Sequence, residues 1–382
     1  MLFDVYSKFD LTPEKASGCY LWDKNGTKYL DCYGGHGVIS IGHNHPVWQA
    51  AIIDQISKIS FYSNAVKIPC QEELADKLAK VSGYSDHNLF LVNSGAEANE
   101  NALKLASFHT GRSKVIAFNG GFHGRTSGTM AISDYPKMKS PFNTPHDVQF
   151  FKLGDESVFE EIKKAQTAGV IIEGIQGIAG VEDPGVEFLL KLHDSCYESG
   201  TAFILDEVQS GFGRTGDFFA HQHAGIEADI ITMAKGMGNG FPVGGLLIHP
   251  DIKAKKGLLG TTFGGSYLAC KATIAVLDIL EKESLCKNSK IQGEKIINQL
   301  AGLPAINKLK GRGLMIGLEF SKDSSSIRKK LLEANIITGS SSNPQILRIL
   351  PPLIFGDQER HMFIENIISI VNKENEAVSV SK

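Results

Sequence analysis

Ile204–Gly216 reads ILDEVQSGFGRTG. It joins an apolar run, Thr201–Leu205, to a glycine-spaced segment, GFGRTG at 211–216, that matches G-x-G-x-x-G. In a dinucleotide-binding unit the first glycine sits in the strand-to-helix turn and the pyrophosphate rests on the N-terminus of the next helix. An acid roughly 20 residues on then holds the ribose. The stretch fails these demands. Asp206, Glu207, Val208 and Gln209 intervene before the first glycine, DFFAHQHAGIEAD at 217–229 is no clean amphipathic helix, and Lys235 stands where the ribose acid is due. An NAD-dependent dehydrogenase is therefore the remote alternative. What remains is a buried strand that ends on an acid, followed by a glycine-rich loop.

Outward from this strand, short apolar runs recur at Leu89–Val92, Val115–Phe118, Val148–Phe151, Gly169–Glu173, Asp229–Met233 and Gly245–Ile248. Together with Ala202–Leu205 they predict strands buried on both faces of a mostly parallel sheet. Helical stretches such as Ala96–His109 and Glu187–Glu198 lie between them, which predicts a three-layer α/β domain. From about Ala269 the pattern changes to a long helix, strands (LMIGLEF, LRIL) and a last helix, a smaller α+β domain joined by the N-terminal segment. The expected division is a large domain at 47–267 and a small one made of 1–46 and 268–382. The final KENEAVSVSK is expected to fray.

The chain has 382 residues, 42% hydrophobic and 21% charged, with 39 basic against 42 acidic side chains, net −3. A near-neutral balance without a basic stripe argues against nucleic acid or an anionic membrane as partner. No apolar stretch reaches the ~20 residues of a membrane span. Six cysteines are scattered without a C-x-x-C pair, as expected in a reducing cytoplasm. The pairs His43/His45 and His221/His223 have no third ligand cluster beside them; both are read as turn and loop residues, with no metal expected.

In open α/β sheets ligands sit beyond the carboxyl ends of the strands, so the residues there are the candidates. Ser94, Gly95 and Ala96 open a helix after Leu89–Val92; they form either an ordinary capped start or an anion cradle. Phe122 and Arg125 stand among Gly120, Gly121 and Gly124, an aromatic to stack on a ring and a guanidinium to grip a carboxylate. Asp206 is either a core ion pair or the partner of a cationic ring nitrogen. Lys235 ends a buried strand against AKGMGNGFPVGG, where a desolvated amine becomes a nucleophile towards aldehydes. Phosphate, planar ring, ring nitrogen and aldehyde together describe pyridoxal 5′-phosphate, which pairs with a lysine and an acid.

With GHNHP at 42–46, NSGAEANENALKLA, FHGRT, LDEVQSGFGRTG, AKGMGNGFPVGG, TTFGGS, GRGLMIGLEF and LRILPPL in this order, the chain resembles the class III (ornithine-type) aminotransferases of pyridoxal-phosphate fold type I. It looks most like the acylornithine aminotransferases of arginine biosynthesis. The resemblance implies that Lys235 bonds to the cofactor aldehyde and shuttles the proton, and that Asp206 pairs with the ring nitrogen. Gln209 would face the phenolic oxygen, Phe122 and Val208 would cover the two ring faces, and Ser94, Gly95 and Ala96 would hold the phosphate. Thr262 would reach the phosphate of a neighbouring subunit, making a homodimer with shared sites. Arg348 and Arg125 would grip substrate carboxylates.

The implied reaction moves the terminal amine of an Nα-acylornithine, acetyl or succinyl, to 2-oxoglutarate in a ping-pong cycle that forms glutamate. Ornithine or 4-aminobutyrate aminotransferase is the alternative, and an aminomutase of the same fold a further one. Three departures stand out. The family's EPIQGE is EGIQGI at Glu173–Ile178, which removes the glutamate that pairs with and gates the C-terminal arginine. GGNPLA is GGSYLA, with Ser266 and Tyr267. His36 stands where the family places the residue facing the substrate's far end; it is read either as a contact or as a loop histidine bonded to backbone.

Overall fold

The computed structural model describes residues 1–380, with side chains through Lys373. The N-terminal segment forms β1 (Pro13–Ser17), β2 (Tyr20–Asp23) and β3 (Lys28–Asp31). The middle of the chain supplies β4 (Asn88–Val92), β5 (Lys114–Phe118), β6 (Val148–Phe151), β7 (Thr167–Glu173), β8 (Ala202–Asp206), β9 (Ile230–Met233) and β10 (Gly244–Ile248). These seven make one sheet in the order β4-β10-β9-β8-β7-β5-β6. Pairing is parallel except around β10, which runs antiparallel to both β4 and β9. All seven apolar runs of the sequence are strands of this sheet. The run at 229–233 begins as a strand at Ile230; just before it the Asp229 carboxylate accepts the Phe203 N–H at 2.7 Å and the Asp229 carbonyl accepts the His249 N–H at 2.8 Å.

One face of the sheet is covered by the helix Gly95–Thr110. Ala98, Ala102 and Ala106 recur every four residues and line the side that meets Val115, Ile171, Ile204, Ile230 and Leu246. Small side chains let the helix lie close: a Cβ on Gly169 of β7 would stand 3.1 Å from that of Ala106. The other face is covered by Val186–Ser199, whose Leu189, Leu192 and Cys196 pack with Phe118, Val170, Phe203 and Leu205. Each large aliphatic or aromatic side chain so buried contributes roughly 1.5–3 kcal/mol. Ser94 caps the first helix by accepting the Glu97 N–H at 3.2 Å, and the Glu97 carboxylate accepts the Asn93 N–H at 2.6 Å.

The C-terminal part holds two successive helices where one was expected, Tyr267–Lys282 and Leu285–Leu300, parted at Ser284 with φ 52°. Ser266, one of the departures from the family pattern, caps the first by accepting the Ala269 N–H at 3.3 Å. Then come β11 (Ile306–Arg312), β12 (Met315–Phe320), β13 (Ile336–Ile337), β14 (Gly339–Ser340) and β15 (Ile346–Ile349). β11-β12-β15-β14 form one sheet, and β13 extends the N-terminal sheet as the parallel neighbour of β3. β11 has no apolar run to announce it; INKLKGR is mostly polar and none of its residues is fully buried. The last helix runs Asp357–Val380, through most of the segment expected to fray; residues 381 and 382 lie outside the described residues. No helix among the described residues is long and apolar enough to cross a membrane.

GFGRTG is the joint between these parts. No long helix follows it, only the short turn Ala220–Ala224. Its glycines allow close contact: a Cβ on Gly213 would sit 2.9 Å from Cys286 Sγ, and one on Gly216 3.0 Å from Lys290 Cβ. Arg214 is buried and donates to the carbonyls of Leu314 (3.2 Å), Ile39 (3.4 Å) and Pro351. Burial pushes its guanidinium down to about 10, against the opposing charge of Asp31. One side chain thus ties the sheet's loop to the N-terminal segment and to both C-terminal strand ends. Arg214→Ala should lower the unfolding free energy by about 3 kcal/mol, because it leaves three buried carbonyls without a donor. Calorimetry of the holoenzyme should show this as a fall of several degrees in Tm; an unchanged Tm would contradict the tie.

Candidate active site

The site lies beyond the carboxyl ends of β4, β5, β7, β8 and β9, and Asp206 is its anchor. This carboxylate is 3% exposed. Its Oδ2 accepts from Asn99 Nδ2 and His123 Nδ1, both at 2.7 Å, and its Oδ1 accepts the Val208 N–H at 3.0 Å. The donors are themselves held. Thr232 of β9 donates to Asn99 Oδ1 at 2.6 Å, Asn99 also donates to the His123 carbonyl at 2.8 Å, and the His123 N–H meets Ser133 Oγ at 2.9 Å. Burial works against a charged His123, but the hydrogen bond and charge of Asp206, with Glu173, outweigh it and hold the imidazole above its usual range.

Lys235 follows β9 with φ 43°, a left-handed conformation uncommon for a non-glycine residue and concentrated at functional sites. Its loop leans on the N-terminal segment: Ser40 Oγ donates to the Gly236 carbonyl at 2.7 Å, and Asn239 Oδ1 accepts the N–H groups of Ser40 (2.9 Å) and Ile41 (3.1 Å). Burial holds the amine below the usual lysine range, helped by the Arg348 charge and opposed by Asp206 and Glu173.

A cavity of about 190 Å³ brings together Gly95, Ala96, Phe122, Asp206, Val208, Gln209 and Lys235 with Asn99, His123, Gly124 and Glu173. Its floor at the helix start is kept bare. A Cβ on Gly95 would meet Val208 Cγ1 at 2.6 Å, and one on Gly124 would meet the Ala96 Cβ at 2.8 Å. The first N–H groups of a helix have no intrahelical acceptor and point towards such a space. Ser94 lies outside the lining, exposed, with its hydroxyl used as the helix cap. Arg125 is exposed, its guanidinium 5.9 Å from the Phe122 ring centre. Thr262 is exposed and outside the cavity of its own chain.

Arg348 and His36 reach the cavity through Gln209. Gln209 Oε1 accepts from Arg348 Nη1 at 3.2 Å, and its Nε2 donates to the His36 carbonyl at 3.0 Å. Gly34, Gly35, His36 and Gly37 all have φ between 56° and 74°, which turns that carbonyl inward. The His36 ring lies at the surface against the Tyr33 hydroxyl. Burial, then Arg348 and Lys235, hold it below the usual histidine range.

Sequence reasoning missed Asn99, His123 and Glu173. Glu173 ends β7 as Asp206 ends β8, so the same strand-end signal was there to be used. Its Oε1 accepts the Phe122 N–H and its Oε2 the Gly177 N–H, each at 2.9 Å, and burial raises its carboxyl. His123 and Asn99 each lie within a quoted motif, but only their convergence on Asp206 reveals them. The paired histidines are spent elsewhere: His43 on Asp31, His45 on Glu283, His221 on Glu207 and His223 on the Ala220 carbonyl. A larger cavity of about 520 Å³ opens at the amino ends of β8 and β9, away from all of these groups.

A family model described as aminotransferase class-III matches residues 4–371. The chain belongs to the class-III aminotransferases. It is 37% identical over 371 residues to the acetylornithine aminotransferase of Archaeoglobus fulgidus, covering 96% of this chain and 97% of the relative. The acetylornithine aminotransferase of Aquifex aeolicus is 37% identical over 380 residues, 97% of this chain and 99% of its own. Among solved structures, the ornithine aminotransferase of Toxoplasma gondii ME49 superposes with a TM-score of 0.92 at 28% identity, over 98% of this chain and 93% of that one. A second Toxoplasma gondii structure has pyridoxal phosphate at its active site.

The aminotransferase's cofactor is pyridoxal phosphate, and the cavity fits it. A bare helix N-terminus suits a phosphate, Phe122 and Val208 in the lining suit the faces of a ring, and a satisfied buried carboxylate and a desolvated amine line the same cavity. The lowered amine makes a prediction. Neutral amine is the reactive form, so Lys235 should react with aldehydes at a lower pH than any surface lysine. Cofactor-free chain treated with pyridoxal phosphate and cyanoborohydride at neutral pH should carry the label on Lys235 by peptide mass mapping. Labelling spread over surface lysines, with Lys235 bare, would count against the assignment.

Proposed function

We propose that this aminotransferase moves the terminal amine of an Nα-acylornithine to 2-oxoglutarate, forming glutamate, in arginine biosynthesis. The near-full-length likeness to acetylornithine aminotransferases carries the substrate reading. The geometry around Lys235 supports the chemistry: a desolvated amine lies between an anchored carboxylate, Asp206, and a buried arginine, Arg348.

Bound pyridoxal phosphate supplies an electron sink for the carbanion formed at the amine-bearing carbon. The chain's own residues do the rest. Lys235 would hold the cofactor through its aldehyde carbon, and its Nζ, freed when a substrate amine displaces it, would take the proton from the amine-bearing carbon and deliver it to that cofactor carbon. Asp206, its Oδ2 held by Asn99 and His123, would pair with the ring nitrogen and favour its protonated form. The N–H groups of Gly95 and Ala96, at the helix that Ser94 caps, would hold the phosphate. Phe122 and Val208 exclude water from the ring faces. Arg348 receives the carboxylate beside the reacting carbon of the keto acid, and Arg125 receives the far carboxylate at the mouth. His36, oriented by Tyr33, faces the acyl end.

Two further parts of the reading concern assembly and place. Thr262 faces solvent on its own chain, which suits a homodimer in which it completes the phosphate site of a second copy. The cysteines are all unpaired, five of them buried, which suits a reducing cytoplasm. Ornithine aminotransferase is the second reading, favoured by the Toxoplasma gondii structure.

The deciding experiment mixes the yellow holoenzyme, without keto acid, with N-acetylornithine, N-succinylornithine and ornithine in turn. Rapid loss of colour with an acylornithine is the expected result; loss with ornithine alone would move the enzyme to the second reading. Asp206→Ala should slow this half-reaction roughly 10²–10³-fold. A change of less than tenfold would remove Asp206 from its assigned role.

A further inference from the structure

Arg348 is 3% exposed and has only neutral acceptors in its direct hydrogen bonds: the Ser340 carbonyl on Nε at 2.6 Å and Gln209 Oε1 on Nη1 at 3.2 Å. Glu173 influences it through charge, but both Glu173 oxygens are engaged by the N–H groups of Phe122 and Gly177. A buried guanidinium with neutral partners is under-compensated, and a carboxylate in a charge-assisted bond is its stronger ligand. The family pattern supplies an acid for this purpose; the chain has Ile178 instead.

The Gln209 amide has one orientation open to it. Arginine is only a donor and a backbone carbonyl only an acceptor, so Oε1 must face Arg348 and Nε2 must face His36. A glutamate here would set an anion against the His36 carbonyl. The seat is built for this amide, because a Cβ on Gly177 would come within 1.8 Å of Oε1. The bond to Arg348 is longer than the one from Arg348 to Ser340, and it is the one that can be given up.

We propose that Gln209 is a resident, displaceable ligand of Arg348, a neutral replacement for the missing acid, and that the keto-acid carboxylate takes its place. The inference rests on the reading of Arg348 given above. It accounts for two substrates at one arginine. An acylornithine has no carboxylate beside its reacting amine, so Gln209 stays on Arg348 during the first half-reaction. The keto acid brings a carboxylate beside its reacting carbon, which exchanges with the amide in the second half-reaction.

The test is calorimetric binding of glutarate, a dicarboxylate without amine or keto group, to the holoenzyme. Gln209→Met removes the competing amide at similar volume and should tighten glutarate roughly tenfold. Gln209→Ala should do the same, so that a folding failure in one variant leaves the other. Gln209→Glu supplies a competing anion and should weaken glutarate at least tenfold. Arg348→Met should abolish glutarate binding in every background. If Arg348→Met binds glutarate as the unaltered enzyme does, the reading of Arg348 and this proposal both fall. If it loses glutarate while Gln209→Met and Gln209→Ala bind no more tightly than the unaltered enzyme, the proposal alone falls.

Discussion

A single carboxylate at the end of a central strand constrains the site. Taking Asp206 out of water is costly unless its oxygens are satisfied. Its three donors come from three places: Asn99 from the helix after β4, His123 from the loop after β5, and the Val208 N–H from its own strand's continuation. Each side-chain donor is braced in turn, by Thr232 and by Ser133. The positions of the Gly95 helix start and of Phe122 follow from satisfying this one group.

The second constraint is docking. Lys235 is desolvated because other parts of the chain cover its loop. Ser40 and Asn239 join the N-terminal segment to the lysine turn, and Arg214 joins the same segment to the β8 loop and to the C-terminal strands. The site is therefore assembled from the first forty-odd residues, the sheet and the last strands together. Losing any of these contacts would admit water to the lysine and return its amine towards the ordinary lysine range.

The buried ionisable groups differ in the partners that satisfy them. Asp206 and Glu173 are anions tied by short bonds, with His123 lying between them. Arg348 donates to neutral oxygens, the Ser340 carbonyl and Gln209 Oε1, and burial holds the Lys235 amine below the usual lysine range. The carboxylates, each held by N–H donors, mark where a cofactor sits; the amine and the guanidinium are the groups left to meet substrate. Gln209 belongs to the second group, since its amide links Arg348 to the His36 loop without adding charge.

Seven buried strands and their covering helices were legible because continuous apolar runs and spaced alanines leave a local signature. Asp206 and Lys235 were legible as ionisable residues at the ends of such runs. β11, β13 and β14 were not: β11 is mostly polar and nowhere fully buried, and the other two are two residues long, so none of the three has a period to detect. Glu173 carried the strand-end signal and was passed over as part of the strand. His123 and Asn99 lie 24 residues apart and meet only through the sheet. The sequence by itself determined the fold class and the family and singled out Lys235 and Asp206 at strand ends, since these follow from residue type and local order. Only the tertiary structure decided that GFGRTG is a joint held by Arg214 and that Gln209 occupies Arg348, because hydrogen bonds between distant segments leave no periodic trace in the chain.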